Sequence, residues 1–210
     1  MNRRHMENTP MHHPKCATRF SLALLVCLAQ PTAAAAQDAR TAHYDWLTAG
    51  EVSGAHVLQI RADGTRVADF EFNDRGRGPK IHEELVMASD GTLASVQVSG
   101  HSYMGAPAQE SFRIADGRAI WDSTLERGDA PAGGFYVAHD GTPEQQAVLA
   151  RALLGAPGRR MDLLPAGTAT IEAVATQAVE QAGQTRTVTL YAISGLDLTP
   201  QYLWLDEARE

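Results

Sequence analysis

The stretch Ile81-His82-Glu83-Glu84-Leu85-Val86-Met87-Ala88-Ser89-Asp90-Gly91-Thr92-Leu93-Ala94-Ser95-Val96-Gln97-Val98-Ser99-Gly100 decides the fold. Two runs that read as strands flank a turn at Ser89-Asp90-Gly91, and the returning run places Leu93, Val96 and Val98 at its apolar positions. Asp tolerates positive φ and Gly adopts it without a Cβ clash, so the pair suits a tight connection between antiparallel strands. The same dipeptide recurs at Asp63-Gly64, Asp116-Gly117 and Asp140-Gly141, and the first three of the four pairs lie between strand-like runs. The reading is a ladder of sequential hairpins.

Working outward, His43 to Leu47 reads as a first strand, with a turn through Gly50 to Gly54 and a second strand at His56 to Arg61. Thr65 to Asp74 follows, with Val67, Phe70 and Phe72 facing inward and the period of two clearest in Asp69-Phe70-Glu71-Phe72. Asn73-Asp74-Arg75-Gly76-Arg77-Gly78-Pro79 is glycine-rich, but it leads into a strand rather than a helix and so reads as a hairpin loop, not a phosphate cradle. Gln109 to Ala115 and Arg118 to Thr124 form the next hairpin, with Phe112, Ile114, Ile120 and Trp121 as its apolar side. Arg127 to Gly134, rich in Gly, Pro, Ala and charge, reads as an exposed loop.

One helix is expected. Thr142 can cap it, Pro143 fits its first position, Gln145 completes a capping box, and Gly155 followed by Pro157 ends it. Val148, Leu149, Ala152 and Leu153 form a stripe that should lie on the sheet. Strands at Thr168 to Thr176 and Arg186 to Ser194 follow, and Tyr202 to Leu205 closes the pattern as an apolar segment expected to show an open face. The expected fold class is mainly β: an antiparallel meander curved into a half-barrel or open barrel with one packed α-helix.

Arg3, Arg4, Lys15 and Arg19 precede the apolar run Phe20 to Ala29, then Pro31-Thr32 and four alanines, the order of a signal peptide. Residues 1–36 are read as that leader, with Met6 and Met11 as other starts, and 37–210 as a single β-rich domain that is periplasmic or secreted. Cys16 and Cys27 both fall in the leader, so the mature chain has no disulfide, thiolate nucleophile or Cys-based metal site. Cleavage leaves 14 basic against 24 acidic side chains, a balance of −10, whereas the whole chain stands at −7. That field, with only Arg75/Arg77 and Arg159-Arg160 as basic pairs, argues against a nucleic-acid partner. No transmembrane segment is expected after cleavage.

Catalytic equipment is sparse. The mature histidines His43, His56, His82, His101 and His139 include no closely spaced pair suited to a metal. His82 beside Glu83 and Glu84 is the best local cluster, yet strand alternation separates neighbours and favours an exposed histidine. There is no Gly-x-Ser-x-Gly elbow, and Ser99-Gly100-His101-Ser102 is a scattered group rather than a triad. No catalytic, cofactor-binding or metal residue is assigned. The aromatics Trp46, Phe70, Phe72, Tyr103, Phe112, Trp121, Tyr136 and Trp204 read first as core, although a concave apolar face can hold a lipophilic molecule.

The Tyr44 strand with its Gly50/Gly54 turn, Phe72 to Pro79, Ala150 to Leu154, Leu163-Leu164-Pro165-Ala166-Gly167 and Ile193 to Pro200 together resemble the amino-terminal β region of secreted bacterial amidohydrolase-superfamily proteins. The resemblance implies a β domain beside a metal-dependent hydrolase barrel as partner. That barrel and its His-x-His ligands are absent from this chain, so none of the family's ligands carries over. The first reading is thus a non-catalytic accessory or fragment domain. The alternative is a self-sufficient periplasmic protein that binds a lipophilic ligand on its curved sheet, and an independent enzyme using His82 or His101 comes last.

Overall fold

The computed structural model describes residues 39–181 and 183–210. The leader read at 1–36 lies outside the described residues. Eight strands run in sequence, each antiparallel to the next: β1 (Arg40–Thr48), β2 (Glu51–Ile60), β3 (Arg66–Phe72), β4 (Lys80–Met87), β5 (Leu93–His101), β6 (Pro107–Ala115), β7 (Arg118–Ser123) and β8 (Arg127–Pro131). The fold is mainly β, an antiparallel sheet with a curled half-barrel sheet. A short β9 (Phe135–Tyr136) leads to α1 (Pro143–Gly155), a 3₁₀ turn at Pro157–Arg159, and then β10 (Arg160–Leu164), β11 (Thr168–Gln181), β12 (Gln184–Ser194) and β13 (Gln201–Asp206). These make a second sheet in the order β13-β12-β11-β10-β9, antiparallel except where β9 runs parallel to β10.

Three of the four Asp-Gly pairs form positive-φ turns, in two ways, and Asp140-Gly141 does not. At Asp63-Gly64 and Asp90-Gly91 only the glycine has positive φ, and the aspartate accepts the N–H of Thr65 or Thr92 at 2.9 Å. At Asp116-Gly117 both residues are left-handed, φ 50 and 72, giving the two-residue turn whose twist matches its strands. The first hairpin uses Ala49-Gly50 in the same manner. The turn expected from Gly50 to Gly54 is therefore shorter: Gly54 lies within β2 opposite Phe72, where a Cβ would come 2.1 Å from the Glu71 carbonyl oxygen. Arg127 to Pro131 is an edge strand instead of a loop, since pairing with β7 on one side asks little of its composition.

The core lies between three surfaces. The inner face of the meander contributes Ile81, Leu85, Val96, Val98, Phe112 and Trp121; α1 contributes Val148, Leu149, Ala152 and Leu153; the second sheet adds Leu163, Ile171, Ile193 and Leu205. The helix stripe is thus buried as its spacing requires. In the β6–β7 hairpin, Phe112 pairs with Trp121 on the inner face, while Ile114 is exposed and Ile120 sits on the opposite face from Trp121. At β13, Tyr202 and Trp204 are exposed and Leu205 is buried, so alternation divides the apolar segment between two faces. Among the described residues no helix is long and apolar enough to cross a membrane.

Candidate functional site

Alternation on β4 puts Ile81, Glu83 and Leu85 on one face, and on β6 it does the same for Ala108, Glu110 and Phe112. Each strand therefore carries one carboxylate into the core. Glu83, Val98 and Glu110 are in register across β4, β5 and β6. The strand spacing sets the two acids roughly 10 Å apart. Burying a carboxylate is costly unless it is hydrogen-bonded, and both are fully engaged.

Glu83 reaches the start of α1. Its Oε2 accepts the backbone N–H of Thr142 at 3.0 Å and the Thr142 hydroxyl at 2.5 Å, and its Oε1 accepts Nε2 of Gln145 at 3.2 Å. The local capping box expected at Thr142 and Gln145 does not form, because both side chains turn to this carboxylate from another element. Gln145 Oε1 is free to accept the N–H of Ala138 at 2.8 Å. Complete burial pushes the Glu83 carboxyl up to about 7, a rise opposed by the two Thr142 hydrogen bonds and reinforced by the negative charges of Glu144 and Glu110.

Glu110 holds the segment before the helix. It accepts the Tyr136 hydroxyl at 3.1 Å and the N–H groups of His139 and Asp140 at 3.0 and 2.7 Å. The Tyr136 ring stacks on Phe112 at 4.6 Å, and burial followed by the Glu110 charge raises its phenol well above its ordinary value. A third buried acid, Glu144, accepts from Arg66 at 2.6 Å and Arg151 at 2.5 Å through the same oxygen.

These contacts frame a cavity of about 820 Å³. Its floor is Trp46, Phe70, Glu110 and Ser123 of the meander; its walls are residues 135–139 and 141–143, the first turns of α1 including Leu149, and Leu163 to Ala166; the β7–β8 and β12–β13 connections bring Leu125, Glu126, Leu196 and Asp197. From Trp46 an aromatic strip continues over the inner face. Trp46 stacks on Phe72 at 5.3 Å and meets Phe70 edge-on at 4.9 Å, Phe72 lies 6.0 Å from Tyr103, and the Arg77 guanidinium sits 5.6 Å over Tyr103. Tyr44 stacks on His56, whose buried Nε2 has no hydrogen-bond partner and whose imidazole is held below its ordinary pKa by burial.

The aromatics therefore divide: Phe112 and Trp121 are core, whereas Trp46, Phe72, Tyr103 and Trp204 retain accessible surface. His82 lies on the outer face, half-exposed, with Nδ1 2.8 Å from Asp69 Oδ1. Registry extends that row to Ser99, but no hydrogen bond joins His82 to its hydroxyl. His101 contacts only the Ser102 carbonyl, at 3.3 Å. Among the described residues no cluster of three or more His, Cys, Asp or Glu is arranged to hold a metal. Glu83, read only as a neighbour of His82, and Glu110, not singled out from sequence, carried one signal of an inward carboxylate, phase: each occupies the apolar register of its strand.

No family model matches the chain, and no curated protein matches it. It is similar to the solved structure of a β-barrel-like protein of the domain of unknown function DUF1849 from Brucella abortus, at 13% identity and a TM-score of 0.45, over 72% of this chain and 76% of that one. It is also similar to a DUF1089 family protein from Pseudomonas aeruginosa, at 16% identity and a TM-score of 0.42, over 78% of this chain and 89% of that one. The resemblance to an amidohydrolase amino-terminal region is thereby corrected: no family model matches, and these neighbours belong to other families.

Proposed function

We propose that this chain is a self-sufficient periplasmic protein that binds a lipophilic molecule on the concave face of its curved sheet. The observation that carries the reading is the cavity of about 820 Å³, in the size range of small-molecule sites, lined by Trp46, Phe70, Phe135, Leu149, Leu163 and Leu164. Among the side chains at the cavity, Trp46 and Leu125 keep exposed apolar surface. Exposed apolar surface of this kind marks a binding groove. The basic, apolar and small-residue order of the leader supports export.

The test is to export the full chain, purify it from the periplasm without detergent, and compare its native mass with its denatured mass. A co-purifying apolar molecule, displaced by an added apolar probe and lost on Phe70→Asp, is the expected result. A protein that is empty and indifferent to such probes overturns the reading.

A further inference from the structure

Beyond being apolar, the cavity has a definite sign of charge. Among the described residues its lining includes three carboxylates, Glu110, Glu126 and Asp197, and no lysine or arginine, with His139 as the only basic side chain. None of the three acids belongs to an ion pair among the described residues. Glu110 spends both oxygens on the 136–140 segment. The other two keep capacity: Glu126 accepts Trp121 Nε1 through Oε1 alone, and Asp197 accepts the Leu198 N–H through Oδ1 alone. Glu126 comes from the β7–β8 connection and Asp197 from the β12–β13 connection, so the charge belongs to two separate regions of the lining.

An anionic end group entering this space meets repulsion, with His139 alone to pair with, whereas a cationic one is attracted by the carboxylates. We infer that the ligand is an amphiphile whose apolar chain lies against Trp46, Phe70 and Leu149 and whose polar end is a cationic nitrogen directed to Glu126 and Asp197. This inference rests on the proposed binding function and adds the ligand's charge to it.

Three probes with one chain length separate the possibilities: decyltrimethylammonium, decanol and decanoate, each kept below its aggregation threshold and followed by calorimetry on the full chain near neutral pH. The ammonium probe is expected to bind about tenfold tighter than decanoate, with decanol between them and the advantage shrinking in high salt. In the Glu126→Gln/Asp197→Asn double variant the advantage is lost while decanol binding is unchanged. Glu172→Gln, an exposed carboxylate outside the cavity, is expected to leave all three as they were. Decanoate binding as tightly as the ammonium probe, or a preference that survives the double variant, overturns the charge assignment and leaves the binding function standing. Failure of all three probes removes the binding function, and this inference with it.

Discussion

Thr142 gives both its backbone N–H and its hydroxyl to one oxygen of Glu83, an acid 59 residues earlier in the chain. The first turn of α1 is therefore capped by the sheet it packs on. A helix N-terminus favours negative charge, while full burial disfavours it, and for Glu83 burial prevails.

A pH dependence of stability follows. The folded-state pKa of Glu83, about 7, lies above its ordinary value of 4.5, so the native state holds the proton longer than the unfolded chain. Stability from this group is fully present below pH 4.5 and is lost as pH rises through 7, by on the order of 3 kcal/mol. His56 acts oppositely: its lowered pKa contributes stability present above pH 6.5 and lost as pH falls. The difference between wild type and Glu83→Gln isolates the first effect. Urea midpoints measured from pH 4.5 to 8 should show wild type losing ground to the variant as pH rises; a constant difference would refute it.

Glu110→Ala leaves the Tyr136 hydroxyl and two backbone donors without their acceptor. The hydroxyl is buried and the two amides part-buried, so at up to about 1 to 3 kcal/mol for each unsatisfied donor the variant is expected to lose several kcal/mol. Hydrogen exchange should locate the effect, with the His139 and Asp140 amides exchanging much faster and the β2–β3 hairpin unchanged. Tyr136→Phe, which leaves those amides bonded, should cost only about 1 kcal/mol.

Three ion pairs at two sites offer a comparison of burial. Glu144 is 6% exposed at its side chain and shared by Arg66 and Arg151, whereas Arg40 and Glu210 are about half-exposed. Glu144→Ala strands two guanidinium groups and is expected to cost about 3 to 5 kcal/mol, against at most about 1 kcal/mol for Arg40→Ala. Chemical denaturation of the two variants at one pH checks the order.

Gly54 and Gly76 should respond unequally to alanine. A Cβ at Gly54 collides with the backbone of β3, while Gly76, with φ 84, has open space around it. Gly76→Ala therefore costs only about 1 kcal/mol of backbone strain, and Gly54→Ala must push β2 away from β3. Thermal melts should show the larger fall for Gly54→Ala.

The sequence made the meander legible because Asp63-Gly64, Asp90-Gly91 and Asp116-Gly117 specify turns locally, and the helix legible because Pro143 and Gly155 punctuate a clean stripe. What it concealed was assigned at long range. The partners that Thr142 and Gln145 find depend on β4 passing beneath them, and no local window contains Glu83. Arg127 to Pro131 reads as a loop rather than a strand since an edge strand needs only one neighbour. The cavity was foreseen only as a concave face, because its walls come from segments as distant as Trp46 and Gln201.

The two inward glutamates also join one wall of the chamber to the sheet beneath it. Residues 136–142 are tied to β6 through Glu110 and to β4 through Glu83, so displacing that wall means breaking hydrogen bonds to both strands at once.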